Sequence, residues 1–221
     1  YGAMKSHKIA VLVSGGLDSA ILAGHLLKSH SVVQPIYLKS GHIWEEAELF
    51  WLKCYLKAIK GPGLKDLVCL SCQTNDLYDG HWSLTGKKIP NARSRDQKVY
   101  LPGKNLLLIT KASVYCSINR IPALALGPLK TNPFPDAKSS FFKNLGKVCS
   151  DALNFKLNIK TPFLKMNKKQ VMKLGESSPL QYTFSCLSPA GKFHCGKCNK
   201  CAERKKAFRN ARIIDRTNYA T

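Results

Sequence analysis

Lys8-Ile-Ala-Val-Leu-Val13, followed by Ser14-Gly-Gly-Leu-Asp-Ser19, decides the fold. The first six residues form a short, β-branched, apolar run suited to a strand buried on both faces of a parallel sheet. Leu17, Ala20, Ile21, Gly24 and Leu27 then recur at helical spacing. A strand that turns directly into a helix places the intervening loop at the carboxyl end of the sheet, where open α/β folds bind ligands. Gly15 and Gly16 let the backbone turn sharply and approach a phosphate closely. The helix start adds unpaired N–H groups and a partial positive charge. Ser14 and Ser19 can donate hydroxyl hydrogen bonds to phosphate oxygens. Asp18, once ionised, cannot; it suits Mg²⁺ or a helix cap. The loop is neither a Walker A loop nor a G-x-G-x-x-G turn. On composition alone, a plain capped turn remains an equal alternative.

Outward from this loop, strands and helices alternate. Residues 32–37, 66–71, 122–126 and 156–160 read as strands, and 44–58, 104–118 and 138–153 as helices. Such alternation predicts an α/β fold, a doubly wound parallel sheet with helices on both faces. The stretch 73–102 is polar and punctuated, without a period. Its length suits a functional segment such as a lid. The last third is Cys-rich, basic and short of strands. We therefore expect an α/β domain over 8–180 and a small, Cys-rich, helical C-terminal appendage over 181–216.

The 221 residues are 44% hydrophobic and 22% charged, which excludes general disorder. No apolar run reaches the length of a membrane span. Lys plus Arg is 35 against 13 Asp plus Glu, a net of +22. A chain so charged attracts nucleotides, nucleic acids or acidic proteins. However, 28 of the cations are Lys and only 7 are Arg, and the Lys are spread along the chain. Arg is the residue of fixed phosphate contacts, so much of this charge reads as solvated surface. Tyr1-Gly2-Ala3-Met4 reads as an appended leader, and no segment resembles a secretory signal. The expectation is a cytoplasmic protein.

Cys186-x₈-Cys195-x₂-Cys198-x₂-Cys201 brings four thiols within 16 residues. In a reducing compartment such a cluster points to metal. Four thiolates close the shell of a tetrahedral, structural Zn²⁺. Two disulfides or an iron–sulfur cluster are the alternatives. His194 is read as a bystander. Cys54, Cys69, Cys72, Cys116 and Cys149 lie in apolar segments and are expected to be buried small hydrophobes.

S-G-G-x-D-S resembles the signature of the PP-loop ATP pyrophosphatases. In that superfamily ATP adenylates a carbonyl or carboxylate oxygen, and a nitrogen or sulfur nucleophile displaces AMP. Combined with C-x₈-C-G-x-C-x₂-C-x₂-R, the chain resembles the 7-cyano-7-deazaguanine synthases of queuosine-precursor biosynthesis. Leu101-Pro-Gly-Lys-Asn105 is similar to that family's V-P-G-R-N, Pro135-Asp136-Ala137-Lys138 to its P-D-C-R, and Thr183-Phe-Ser-Cys186 to its T-x-S-C. Lys168 falls near the family's usual lysine. The likeness runs over roughly 8–209.

The resemblance implies an ATP- and Mg²⁺-dependent carbon–nitrogen ligase that turns 7-carboxy-7-deazaguanine and ammonia into the nitrile. It implies Ser14, Asp18 and Ser19 as catalytic groups. Ser14 through Ser19, with Tyr37 and Lys39, would bind ATP. Lys104, Asn105, Asp136 and Lys138 would bind the deazaguanine, and Cys186, Cys195, Cys198 and Cys201 structural zinc. It also makes a homodimer plausible. His42, His81 and Lys104 are candidates for proton transfer. The departures gather where the family binds its acceptor: Lys104 for Arg, Ala137-Lys138 for Cys-Arg, and Lys39-Ser-Gly-His42 for D-Y-G-Q. A macromolecular acceptor is therefore the alternative, either a protein receiving a deazaguanine or a tRNA undergoing modification. Nine basic residues between Lys192 and Arg216, against Glu203 and Asp215, would suit such an anionic partner.

Overall fold

The computed structural model describes residues 6–220. Tyr1–Met4, read above as an appended leader, lie outside the described residues. Five parallel strands form one sheet: β1 Ser6–Leu12, β2 His30–Lys39, β3 Val68–Ser71, β4 Ala123–Ala125 and β5 Asn158–Lys160. Their order is β3-β2-β1-β4-β5. The order reverses between β1 and β4, which opens the ligand-binding crevice of a doubly wound sheet there.

Around the sheet lie α1 Leu17–Ser29, α2 Glu45–Ala58, α3 Trp82–Thr85, α4 Lys104–Ile118, α5 Ser139–Ala152, α6 Lys168–Leu174 and α7 Asn199–Ala211. The period-two alternation of β1 divides the core into two layers. Ile9, Val11 and Val13 pack with Ala20 and Ile21 of α1, Val171 and Met172 of α6, and Ala207 and Phe208 of α7. Ala10 and Leu12 face the other way, onto Ile109 and Ala112 of α4 and Phe142 and Leu145 of α5. The C-terminal helix thus shares the core of the α/β layer.

β2 is longer than its apolar centre suggests and runs through Pro35. In a central strand a proline removes a ladder donor. Here β3 begins its pairing one residue later, at Ile36↔Val68. Before it, Gln34 Nε2 donates to Asp66 O at 2.7 Å.

Two sequence expectations need correction. Cys116 and Cys149 are buried, but Cys54 and Cys72 are half-buried and Cys69 is exposed. Cys69 sits on β3, an edge strand whose alternate side chains face away from the core. The 73–102 stretch is also not structureless. It holds α3, whose N-cap His81 accepts from Ser83 N through Nδ1, and a 3₁₀ turn at Asp96–Val99. It is pinned to the cysteine-rich segment by Asn199 N to Pro90 O (3.0 Å), Ala92 N to Lys197 O (3.1 Å) and Asn199 Nδ2 to Ser94 O (2.8 Å).

Candidate active site and cysteine cluster

The Ser14–Ser19 loop closes on itself. Ser14 N donates to Ser19 Oγ at 3.1 Å, and Ser19 Oγ donates to Gly16 O at 3.2 Å. Gly15 has φ +75°, and a Cβ there would lie 3.2 Å from both Cγ and O of Glu48. Only glycine fits that position without strain. Gly15 O accepts from Phe184 N at 2.7 Å, so the loop is tied to the segment that carries the first cysteine. The N-cap of α1 is Gly16, with no side-chain cap. That corrects the capping alternative for Asp18. Its carboxylate instead takes Lys168 Nζ at 2.6 and 2.8 Å.

The loop stands between two clefts. The first, about 260 Å³, is walled by Trp44, Trp82, Leu101, Phe184, Cys186 and Lys200, among others. The second, about 300 Å³, lies over the strand ends at Tyr37, Ser40, His42, Asn105, Leu126 and Gly127. Ser14, Asp18, Ser19, Glu48 and Lys104 line both. A ligand whose phosphates lay on the loop would therefore reach into either cleft.

Several titratable groups meet at this junction. Tyr37 Oη donates to Glu48 Oε2 at 2.7 Å. Burial raises the Glu48 carboxyl to about 7, although the Tyr37 hydrogen bond and Lys104 pull it down. Burial also lowers the Lys104 ammonium, against the attraction of Glu48. Burial, Lys104 and His81 lower His42 to about 3, so its ring is neutral. Its Nε2 accepts from Lys104 Nζ at 3.3 Å. His42 stacks on Trp44 at 4.6 Å, and Trp44 on Trp82 at 5.7 Å. On the far side, burial alone would raise Glu203, but Lys200 and Lys168 outweigh it and hold it below its usual range. Lys200 donates to Glu203 at 2.6 Å.

The remaining residues singled out in the sequence fall into two groups. Tyr37, Lys104 and Asn105 border the clefts; Lys39, Asp136 and Lys138 do not. Asp136 is buried and braces the start of α4. Its Oδ2 accepts from Asn105 N, and its O accepts from Asn105 Nδ2, both at 2.9 Å. Lys138 is exposed. Sequence reasoning did not find Glu48, Trp44, Trp82 or Glu203. None of them belongs to a local pattern, and only the packing of α2, α3 and α7 on the loop brings them there.

The four sulfurs of Cys186, Cys195, Cys198 and Cys201 lie within 4.8 Å of one another. Cys186–Cys198 is 3.9 Å and Cys195–Cys201 is 4.0 Å. A Zn–S length of about 2.3 Å puts tetrahedral sulfurs about 3.8 Å apart, so the four fit one metal ion. Leu187 N and Cys195 N point at the sulfurs of Cys198 and Cys186, at 3.4 and 3.3 Å. Hydrogen bonds from Cys186 and Cys201 pull the Cys198 thiol far below its usual range. His194 is not one of the four; its Nε2 accepts from Ser185 N at 3.1 Å. Behind the cluster, Arg204 is fully buried. Its guanidinium donates to Thr217 Oγ1, Thr183 Oγ1 and Leu180 O at 2.8, 2.8 and 3.0 Å.

A parallel sheet of this order, with an S-G-G-x-D-S loop at its switch point, has the architecture of the PP-loop fold. The fold resembles that of the U34-tRNA thiolase NcsA from Methanococcus maripaludis (TM-score 0.51, 13% identity, 94% of this chain and 68% of that one). The family profile described as "Queuosine biosynthesis protein QueC" matches residues 8–212, and the chain belongs to that family. It is 29% identical over 223 residues to a 7-cyano-7-deazaguanine synthase of Methanothrix thermoacetophila, covering 94% of this chain and 96% of that protein. It is 27% identical over 224 residues to 7-cyano-7-deazaguanine synthase 2 of Sulfurisphaera tokodaii. There the match covers 97% of this chain but 48% of the relative, so the chain spans about half its length. No helix among the described residues is long and apolar enough to cross a membrane.

Proposed function

We propose that this chain is an ATP-dependent carbon–nitrogen ligase that converts 7-carboxy-7-deazaguanine and ammonia to 7-cyano-7-deazaguanine in the cytoplasm. The observation that carries the reading is the Ser14–Ser19 loop forming the wall common to two clefts, with Lys104 lining both and Lys168 the first. ATP takes the second cleft, with its phosphates on the loop; Asp18, on releasing Lys168, would hold Mg²⁺, which would neutralise phosphate charge. The planar acid takes the first, where Trp44, Trp82 and Phe184 offer aromatic walls. A carboxylate oxygen attacks the α-phosphorus, the α–β bridge breaks, and pyrophosphate leaves with the electron pair. Loop N–H groups, serine hydroxyls and the two lysines stabilise the departing charge. Ammonia then adds to the carbonyl carbon, and AMP leaves with the former carboxylate oxygen. A second adenylation, now on the amide oxygen, lets that oxygen depart as AMP and leaves the nitrile.

In this reading 8–180 carries the ATP chemistry. Residues 181–216 act as a zinc-held clasp, through which Phe184 and Cys186 form one wall of the first cleft. Zinc held by these four thiolates would supply cross-linking and no chemistry. The altered Lys39–His42 and Ala137-Lys138 positions support a second reading in which the acceptor is a macromolecule. The basic 192–216 segment favours it, because its Lys200 borders the first cleft.

Mass spectrometry after incubation with ATP·Mg²⁺, ammonium and the acid tests the proposal. An amide or nitrile with AMP supports it. ATP consumed without a small-molecule product favours the macromolecular acceptor. Neither ATP nor acid consumed, in folded protein, rejects the small-molecule reading.

A further inference from the structure

The nitrogen donor in the proposed reaction has a problem that the phosphate loop does not solve. Ammonia in neutral water is largely ammonium, as lysine amines are. Ammonium has no lone pair with which to attack an acyl adenylate. A base must remove one proton beside the acyl carbon.

We infer that Glu48 is that base, taking a proton from ammonium at the junction of the two clefts. The inference rests on the ligase reading above, and its ground is geometric. Among the described residues Glu48 is the one carboxylate besides Asp18 that lines both clefts, and Asp18 is engaged by Lys168 on both oxygens. Glu48 lies against Gly15 of the phosphate loop, as its 3.2 Å approach to a Cβ there shows. Tyr37 Oη fixes Oε2, and among the described residues Oε1 has no hydrogen-bond partner. The pocket therefore presents one oriented, unshared carboxylate oxygen next to the loop.

The groups facing Glu48 suit the task. From β2 comes Tyr37; from α4, Lys104; from its own helix, Glu45; and Lys104 is in turn held by His42 Nε2. Burial dominates and places the carboxyl at about 7, matched to proton pick-up at neutral pH. The step balances. Ammonium gives one proton to Glu48 and becomes ammonia. Its lone pair forms the C–N bond, and the C–O bond to the phosphate breaks, with its electrons going to AMP. The nitrogen loses a second proton to the leaving phosphate, and Glu48 returns its own to solvent.

The test compares two nitrogen nucleophiles in E48Q. Hydroxylamine is unprotonated in neutral water and needs no base. Glu48→Gln should lose roughly 100-fold or more of amide formation from ammonium at pH 7, in line with general-base contributions. It should lose far less of hydroxamate formation, and the ammonium deficit should shrink as pH rises and free ammonia accumulates. Equal losses for both nucleophiles, or a deficit constant with pH, would overturn the inference. A hydroxamate from the variant shows that it is folded and still activates the acid. If the parent protein makes neither product, the ligase reading fails instead.

Discussion

Lys168 Nζ lies 2.6 Å from Asp18 Oδ2 and 2.8 Å from Oδ1, joining the start of α6 to the first turn of α1 across 150 residues. Both residues border the first cleft. The pair is partly exposed, and such pairs contribute only about 0–1 kcal/mol to stability. Its value therefore lies in placing a cation beside the loop. Lys168→Ala should leave the melting temperature within about 3 °C of the parent. It should lower acid-dependent ATP–pyrophosphate exchange about 100-fold, as loss of a preorganised charge does. Retained exchange would remove Lys168 from the phosphate site.

Gly15→Ala asks whether the loop tolerates a side chain. The residue has φ +75°, and its new methyl would press on Glu48 Cγ and O. The expected outcome is loss of ATP turnover of about tenfold or more, with a smaller loss in stability of about 1–2 kcal/mol. Isothermal calorimetry with a non-hydrolysable ATP analogue should show weakened binding.

The cysteine cluster predicts one zinc per chain by elemental analysis. Cys198→Ala, or treatment with a strong chelator, should remove it and lower the melting temperature by several degrees, about 2 kcal/mol or more of folding energy being tied to a structural site. Phe184 N holds Gly15 O, so the phosphate loop should loosen too, measurable as faster amide exchange over 14–19. An intense visible absorption with iron in the protein would identify an iron–sulfur cluster instead.

Glu48 gives a pH signature in stability. Burial raises its carboxyl from the ordinary 4.5 to about 7. Between those values the folded chain keeps a proton that the unfolded chain releases, so this group's contribution to stability falls as pH rises. Glu48→Gln should therefore gain melting temperature over the parent as pH goes from 5 to 8, by about 2 °C or more. A constant difference across that range would contradict the raised carboxyl.

Lys138→Ala separates the family pattern from the geometry of this chain. The residue matches a motif position but is exposed and outside both clefts. The variant should keep its activity within about twofold, as surface changes usually do. A large loss in steady-state rate would return Lys138 to the acceptor site.

Local pattern carried most of the fold. The Lys8–Val13 strand, the glycine turn and the helix after it are set by burial, period and backbone freedom over a few residues. The C-x₂-C spacing likewise encodes its cluster locally. What the sequence hid depends on long-range packing. Trp44, Trp82 and Glu203 come from three different elements, and the pairing of Asn91 with Cys198 and the hydrogen bonds beside it bring the 73–102 stretch against the cluster. Asp136 shows the same limit from the other side. Its motif position suggests a ligand contact; its Oδ2 braces the first turn of α4, while its buried Oδ1 has no partner among the described residues. Cys69 was read as buried because its neighbours are apolar, and the edge position of β3 was not visible in them.

Transfer of carboxylate oxygen tests the central claim most directly. Acid labelled with ¹⁸O in the carboxyl group is incubated with ATP·Mg²⁺ and ammonium, and the AMP is weighed by mass spectrometry. Adenylation on oxygen predicts AMP carrying one label for each carboxyl oxygen displaced. Unlabelled AMP, or label found in inorganic phosphate, would contradict it.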